Sequence, residues 1–108
     1  MIGLGEKMKE QIKQIPIELL PHINGYLERR AQDVSEMIHA LKAQDYQTIK
    51  STSHKIIGSA KTWGFENIGN LVKKLEHSAD TEDDKLILKN LLEIKSKIEE
   101  ITENLINE

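Results

Sequence analysis

The sequence predicts an all-α protein, an antiparallel four-helix bundle with a short N-terminal helical lead. Three observations predict it. Apolar residues recur at alternating steps of four and three through most of the chain, with no strand-like alternation. Turn signals break that pattern at intervals that suit short connections between helices. The 108 residues, 38% of them hydrophobic, are enough for one core and leave little room for a second. Amphipathic helices that must each bury one stripe find their economical solution in a bundle.

In chain order, residues 1–15 form the polar-apolar lead and residues 16–108 the bundle. Pro16 and Pro21 bracket a short apolar turn that carries Ile17, Leu19 and Leu20. A long helix then runs from about His22 to Ala43, with Leu27, Ala31, Val34, Ile38 and Leu41 as its inward stripe. Asp45 is a good N-cap for the next helix, which ends near Gly64, a residue suited to the left-handed C-terminal position. Phe65 to Ala79 makes a shorter helix through Ile68, Leu71, Val72 and Leu75. Thr81-Glu82-Asp83-Asp84 resembles a capping box, with Asp where Glu or Gln is usual, and opens the last helix. That helix buries Ile87, Leu91, Ile94, Ile98, Ile101 and Leu105, a stripe a single bundle needs for its own core, so a monomer is expected over a dimerisation seam.

Composition excludes several classes. A net charge of -3 gives no general reason to expect nucleic-acid binding, and the chain has no cysteine for disulfide or thiol chemistry. The N-terminus lacks the apolar run of a signal peptide, and no segment approaches the ~18 apolar residues of a membrane span. A cytoplasmic protein is expected. The start at Met1 and the compact length favour a free-standing protein over a piece of a larger one. Charge is unevenly spread: from Tyr46 to Leu75 there are five lysines (50, 55, 61, 73, 74) against Glu66 alone, a local +4 that leaves -7 for the rest. Including Asp45 and Glu76 lowers the patch to +2, a modest bias that favours an anionic group or an acidic partner surface.

That patch surrounds His54. At about 100° per residue, Gln47, Lys50, Ser51, Ile57, Gly58 and Lys61 fall within about 60° of His54, while Ile49, Thr52, Ile56 and Trp63 cluster at the opposite pole. His54 therefore points away from the apolar stripe. Gly in a helix interior costs about 1 kcal/mol relative to Ala, so Gly58 on the His54 side suggests close approach to the backbone by something outside. Close packing against a neighbouring helix is the ordinary alternative.

A free imidazole titrates at about pH 6.5, so a solvent-facing one offers a nucleophilic ring nitrogen at neutral pH without a separate base. No triad partner is apparent, and Ser51, Ser53 and Ser59 read as helix or surface serines. Metal binding is poorly supported, because His22, His39, His54 and His77 are widely spaced and no His-x-x-x-His pair exists. The other three histidines read as ordinary helix residues. Phosphoryl transfer remains. It needs an exposed nitrogen, room for in-line approach and cations near the equatorial oxygens. His54 supplies the first, Gly58 the second, and Lys50 with Lys61 the third, with Lys55 contributing only from the side. There is no glycine-rich phosphate loop, so the phosphoryl group should arrive from another protein.

With these residues the sequence resembles the histidine-containing phosphotransfer (HPt) domain of two-component phosphorelays. The match runs from about Ile17 to Ile101 through Tyr26-Leu27-Glu28-Arg29-Arg30, Ala40-Leu41, Asp45-Tyr46, His54-Lys55-Ile56, Gly58-Ser59-Ala60, Trp63-Gly64-Phe65 and Leu75-Glu76. The resemblance implies that His54 accepts a phosphoryl group from an aspartyl phosphate on one receiver domain and passes it to the aspartate of another. It also implies a hybrid histidine kinase or response-regulator receiver as partner, with Mg²⁺ on the receiver, which does most of the catalysis. One departure stands out: the family commonly has Lys or Arg three residues after the histidine, where this chain has Ile57. Lys61, within about 20° of His54 but two turns on, is the candidate replacement. Ile57 would instead extend the apolar docking surface around the histidine.

Three other readings compete. An HPt relative that binds a receiver or kinase without carrying phosphate is supported by Ile57. The dimerisation and phosphoacceptor domain of a histidine kinase would place an acidic residue after the histidine and a proline soon after, where this chain has Lys55 and Gly58. A purely structural bundle would make His54 replaceable.

Overall fold

A computed structural model describes residues 15–107, with side chains as far as Leu105. The predicted N-terminal lead lies, apart from Ile15, outside the described residues. A 3-10 turn at Ile17–His22 leads into α1 (Ile23–Lys42), α2 (Tyr46–Trp63), α3 (Glu66–Asp80) and α4 (Asp84–Asn107). The first long helix begins one residue later than expected because the two prolines hold their segment in the tighter turn. Each helix packs on the next in sequence and α4 closes on α1. Residues 43–45, 64–65 and 81–83 are all that connect them, and links this short require antiparallel neighbours. The expected four-helix bundle is the observed one.

All three connections use one device. Each helix ends on a left-handed residue, Gln44 (φ 54°), Gly64 (φ 77°) or Glu82 (φ 54°). The next residue's N–H then reaches back five residues: Asp45 to Ala40 O at 2.8 Å, Phe65 to Ala60 O at 2.9 Å, and Asp83 to Ser78 O at 3.2 Å. This is the Schellman closure, and the residue that completes it becomes the N-cap of the following helix. Asp45 accepts from Thr48 N at 3.1 Å and Asp83 accepts from Leu86 N at 3.1 Å. The expected capping box at Thr81 is thereby corrected. Thr81 ends α3, its hydroxyl donating to Ser78 O at 3.1 Å, because the chain must pass through the left-handed residue Glu82 before a helix can restart. Phe65 is likewise the cap of α3 and not its first residue; it has no side-chain cap bond and is fully buried instead.

The core runs the length of the bundle. From α4 it takes Ile87, Leu91, Ile94, Ile98 and Ile101 as the spacing predicts, with Leu105 partly buried. On α3, Ile68, Val72 and Leu75 are fully buried and Leu71 partly so. The stripe of α1 is the element that differs. Leu27 and Val34 are buried, Ile38 and Leu41 half-buried, and Ala31 exposed, while Tyr26, Met37 and Ala40 are buried in their place. The inward face turns towards α2 because large groups fill that interface. Tyr26 stacks on Trp63 at 4.6 Å between centroids and on Phe65 at 5.6 Å. Polar residues share the same sector, which hid it from an apolar count. Arg30 Nε lies 2.9 Å from Asp33 Oδ2, with its N–H out of line for a hydrogen bond, and Arg30 Nη1 donates to Ser59 Oγ at 2.9 Å. Between α3 and α4 the polar contact is buried Asn90, whose amide donates to Ser78 Oγ at 3.1 Å.

Two predictions follow from the turns. A non-glycine residue at positive φ costs about 1 kcal/mol or more, so Gln44→Gly and Glu82→Gly should each raise stability by ~0.5–1 kcal/mol in urea unfolding. Hydrogen bonds from the Thr48 hydroxyl and N–H hold the Asp45 carboxyl below its ordinary pKa. That cap therefore contributes stability fully present above about pH 4 and lost as the pH falls through the lowered folded value. Asp45→Ala should melt below the parent at neutral pH, and the gap should close on acidification.

Candidate functional site

Placement of the site begins with α2. Its inward residues Ile49, Ser53, Ile56 and Ala60 are fully buried, which fixes the helix's rotation and turns position 54 outward. The His54 side chain is 85% exposed. Around it on the same face, Ser51, Gly58 and Lys61 are exposed and Lys50 and Ile57 half-buried, with Lys55 exposed on the flank. The structure thus brings the sequence-predicted residues to one surface. The serines differ from expectation in part. Ser51 is exposed, its hydroxyl donating to Thr48 O at 3.2 Å, but Ser53 is buried and donates to Met37 Sδ at 3.8 Å. Ser59 is an interior junction. It accepts from Arg30 and donates to Ile56 O at 3.1 Å, so the Tyr26 hydroxyl at 3.1 Å is a donor to it. His22, His39 and His77 are exposed and well separated along the chain.

Gly58 has open space where a side chain would begin; a Cβ built there meets nothing within 4 Å. Helix-against-helix packing therefore does not explain it. The packing glycine is Gly69 of α3, which would place a Cβ 3.6 Å from that of Ala60. Gly25 on α1 is also open, so the feature of interest is the combination of an open backbone with His54 one turn away.

The second half of the site comes from α3; the sequence reading had Lys73 only as part of the lysine patch and missed Glu76 and Asp80 as its neighbours. The turn at Gly64 and Phe65 lays α3 antiparallel along α2, so each step back along α2 meets a step forward along α3. Lys50 Nζ lies 3.5 Å from Asp80 Oδ1, and His54 Nδ1 lies 3.7 Å from Glu76 Oε2. The next steps form a groove of about 310 Å³ in which Ile57 and Lys61 face Gly69, Asn70 and Lys73. At 3.7 Å the His54–Glu76 contact is beyond hydrogen-bond length and becomes an ion pair only when the imidazole is protonated. Nδ1 is the ring nitrogen on the α3 side. Reflecting α2 onto α3 about Phe65 in the sequence would have located Glu76, Asp80 and Lys73.

Among the described residues no three His, Asp or Glu side chains converge as a metal-ligating group. No described helix is long and apolar enough to cross a membrane. Chemically the surface offers an exposed imidazole nitrogen, an open backbone beside it and cations along one hairpin, an arrangement able to present a nucleophile to a macromolecule.

Comparison with known proteins gives one match. A family model described as the Hpt domain covers residues 23–106, from the first turn of α1 almost to the end of α4. Searches of curated proteins and of solved structures return no match. Since the matched span takes in every helix of the bundle and both halves of the surface around His54, the chain belongs to the Hpt domain family, the histidine phosphotransfer domains of phosphorelays, which carry phosphoryl groups and are not themselves catalysts.

Proposed function

We propose that the protein relays a phosphoryl group between aspartates of receiver domains, with His54 as the phosphoacceptor. The observation that carries this reading is the His54 imidazole, 85% exposed, with Nδ1 the ring nitrogen 3.7 Å from Glu76. In the loading step the Nε2 lone pair attacks phosphorus in line. The P–O bond to the receiver's aspartate breaks, and the carboxylate leaves with the electron pair. The new P–N bond leaves a positive charge on the ring, whose Nδ1 proton faces the Glu76 carboxylate. Unloading to a second receiver reverses these changes. The receiver and its Mg²⁺ supply most of the catalysis, and this chain contributes the nucleophile and the docking surface.

In this reading Gly58 admits the receiver to the helix backbone, and Ser51 and Ile57 form part of the contact. Lys50, Lys55 and Lys61 favour an acidic partner surface. Lys50 does so less, since Asp80 already lies 3.5 Å from it. The partners proposed are a response-regulator receiver domain and a hybrid histidine kinase, met by a cytoplasmic monomer. A regulator that binds a receiver without carrying phosphate is the second reading, supported by Ile57 at a position where the resemblance leads one to expect a basic side chain.

Two experiments test the proposal. Incubation with phosphorylated receiver domains should place acid-labile label on the parent and none on His54→Gln; binding of a receiver with no label on the parent would establish the second reading. At position 58, Ala removes the helix-propensity cost and should stabilise the fold by ~0.5–1 kcal/mol. Gly58→Leu should fold equally well, since the space is open, yet slow receiver-dependent transfer by about tenfold or more through displacement of the docked partner.

A further inference from the structure

We propose that Lys73, on the helix opposite His54, is the counter-charge for the phosphoryl group that His54 carries; the inference rests on His54 being the phosphoacceptor. Loading His54 at Nε2 places a dianionic group across the ring from Glu76, whose Oε2 is 3.7 Å from Nδ1. A dianion and a carboxylate on one imidazole favour a nearby cation, and the candidates differ in what already holds them. Lys50 has Asp80 at 3.5 Å. Lys55 sits about 100° around α2 from His54 and extends from the side. Lys61 is seven residues beyond His54, about 10 Å along the helix axis.

Lys73 has the smaller offset along the axis, from the helix across the groove. It precedes Glu76 by three residues, about 4.5 Å along α3, and Glu76 is level with His54. A lysine stem spans that offset. Its side chain lines the groove opposite Ile57, so no charge on α2 competes for it there. Among the described residues Lys73 takes part in no ion pair. The other charged groups in the groove are Lys61 and Glu66, and Glu66 lies seven residues before Lys73, about two turns away along α3. His77, exposed one turn after Lys73 on the same side of α3, lies beyond the residues that line the groove. An ammonium from α3 thus does from across the groove what a basic residue at position 57 would do from α2 itself.

The full chain can be loaded chemically with phosphoramidate, which removes receiver docking from the measurement, and the phosphohistidine titrated by ³¹P NMR. A neighbouring cation disfavours protonation of both the phosphoryl oxygens and the ring, so its loss raises the titration midpoint whichever proton the signal follows. Lys73→Met should raise the midpoint by about half a pH unit, and Lys61→Met by clearly less. Adding Ile57→Lys to Lys73→Met should bring the midpoint back, and ~1 M salt should shrink the difference between parent and Lys73→Met. Lys73 is exposed, so the variant is expected to keep the parent's melting temperature. A loaded parent with an unmoved midpoint in Lys73→Met, or an equal shift in Lys61→Met, overturns the inference while leaving His54 as phosphoacceptor. A parent that takes no label at His54 overturns both.

Discussion

Register between α2 and α3 is the constraint on which the site depends. It is set at one turn, where Gly64 takes the left-handed conformation and the Phe65 N–H closes on Ala60 O at 2.9 Å. Phe65 then plunges into the core and stacks on Tyr26, so the turn is held by packing as well as by hydrogen bonds. Ala60 and Gly69 let the two helices approach closely just beyond it. With that register, Glu76 lies across from His54 and Lys73 across from Ile57. A slip of one residue in either helix would rotate these partners apart by about 100° and dismantle the surface, and it would carry part of that helix's buried stripe out of the core.

The other two helices serve the hairpin from behind. Tyr26 and Arg30 of α1 converge on Ser59, one position past Gly58, and Arg30 also stands over the Tyr26 ring at 4.9 Å. These contacts seize the inner side of α2 directly beneath its functional face, fixing the rotation that keeps His54 in solvent. At the opposite end the Tyr46 hydroxyl donates to Asp84, joining the first turns of α2 and α4, and that hydrogen bond raises the phenol's pKa. The imidazole is thus carried on a helix anchored along its back and at both ends, while its front is left bare. This suits a carrier, which must present one rigid nucleophile to several partners and needs no pocket of its own.

Most of the fold was legible because its signals are local. Apolar spacing located every helix, Asp45 and Gly64 marked the limits of α2, and the stripe of α4 is buried as read, with only Leu105 partly so. What escaped was whatever depends on a neighbour. Ala31 belongs to an apolar pattern yet is exposed, while Asp33 is polar yet 6% exposed, because the α1–α2 interface is filled by rings and an arginine network that no hydropathy count registers. Gln44 and Glu82 lack the glycine signature of the turns they form. The exposure of His54 was readable from α2 alone, whereas Glu76, Asp80 and Lys73 share its surface only after the chain turns back. Pairs across a hairpin require the register, and the register is written in a Schellman turn and a small-residue contact rather than in any residue of the site.

The confinement of the site to a single hairpin has a consequence for how the molecule is made. Every contact on the functional surface joins residues between Lys50 and Asp80, so all of them are close in sequence, whereas closing the bundle requires α4 to find α1 across nearly the whole chain. Short-range contacts cost less loop entropy and form early in folding. The arrangement around the imidazole is therefore expected to be drafted as the nascent hairpin collapses and made permanent when the outer helices dock. Sequence change in α4, or in α1 away from Tyr26 and Arg30, can accordingly alter the lifetime of the fold with little effect on the layout of the surface it displays.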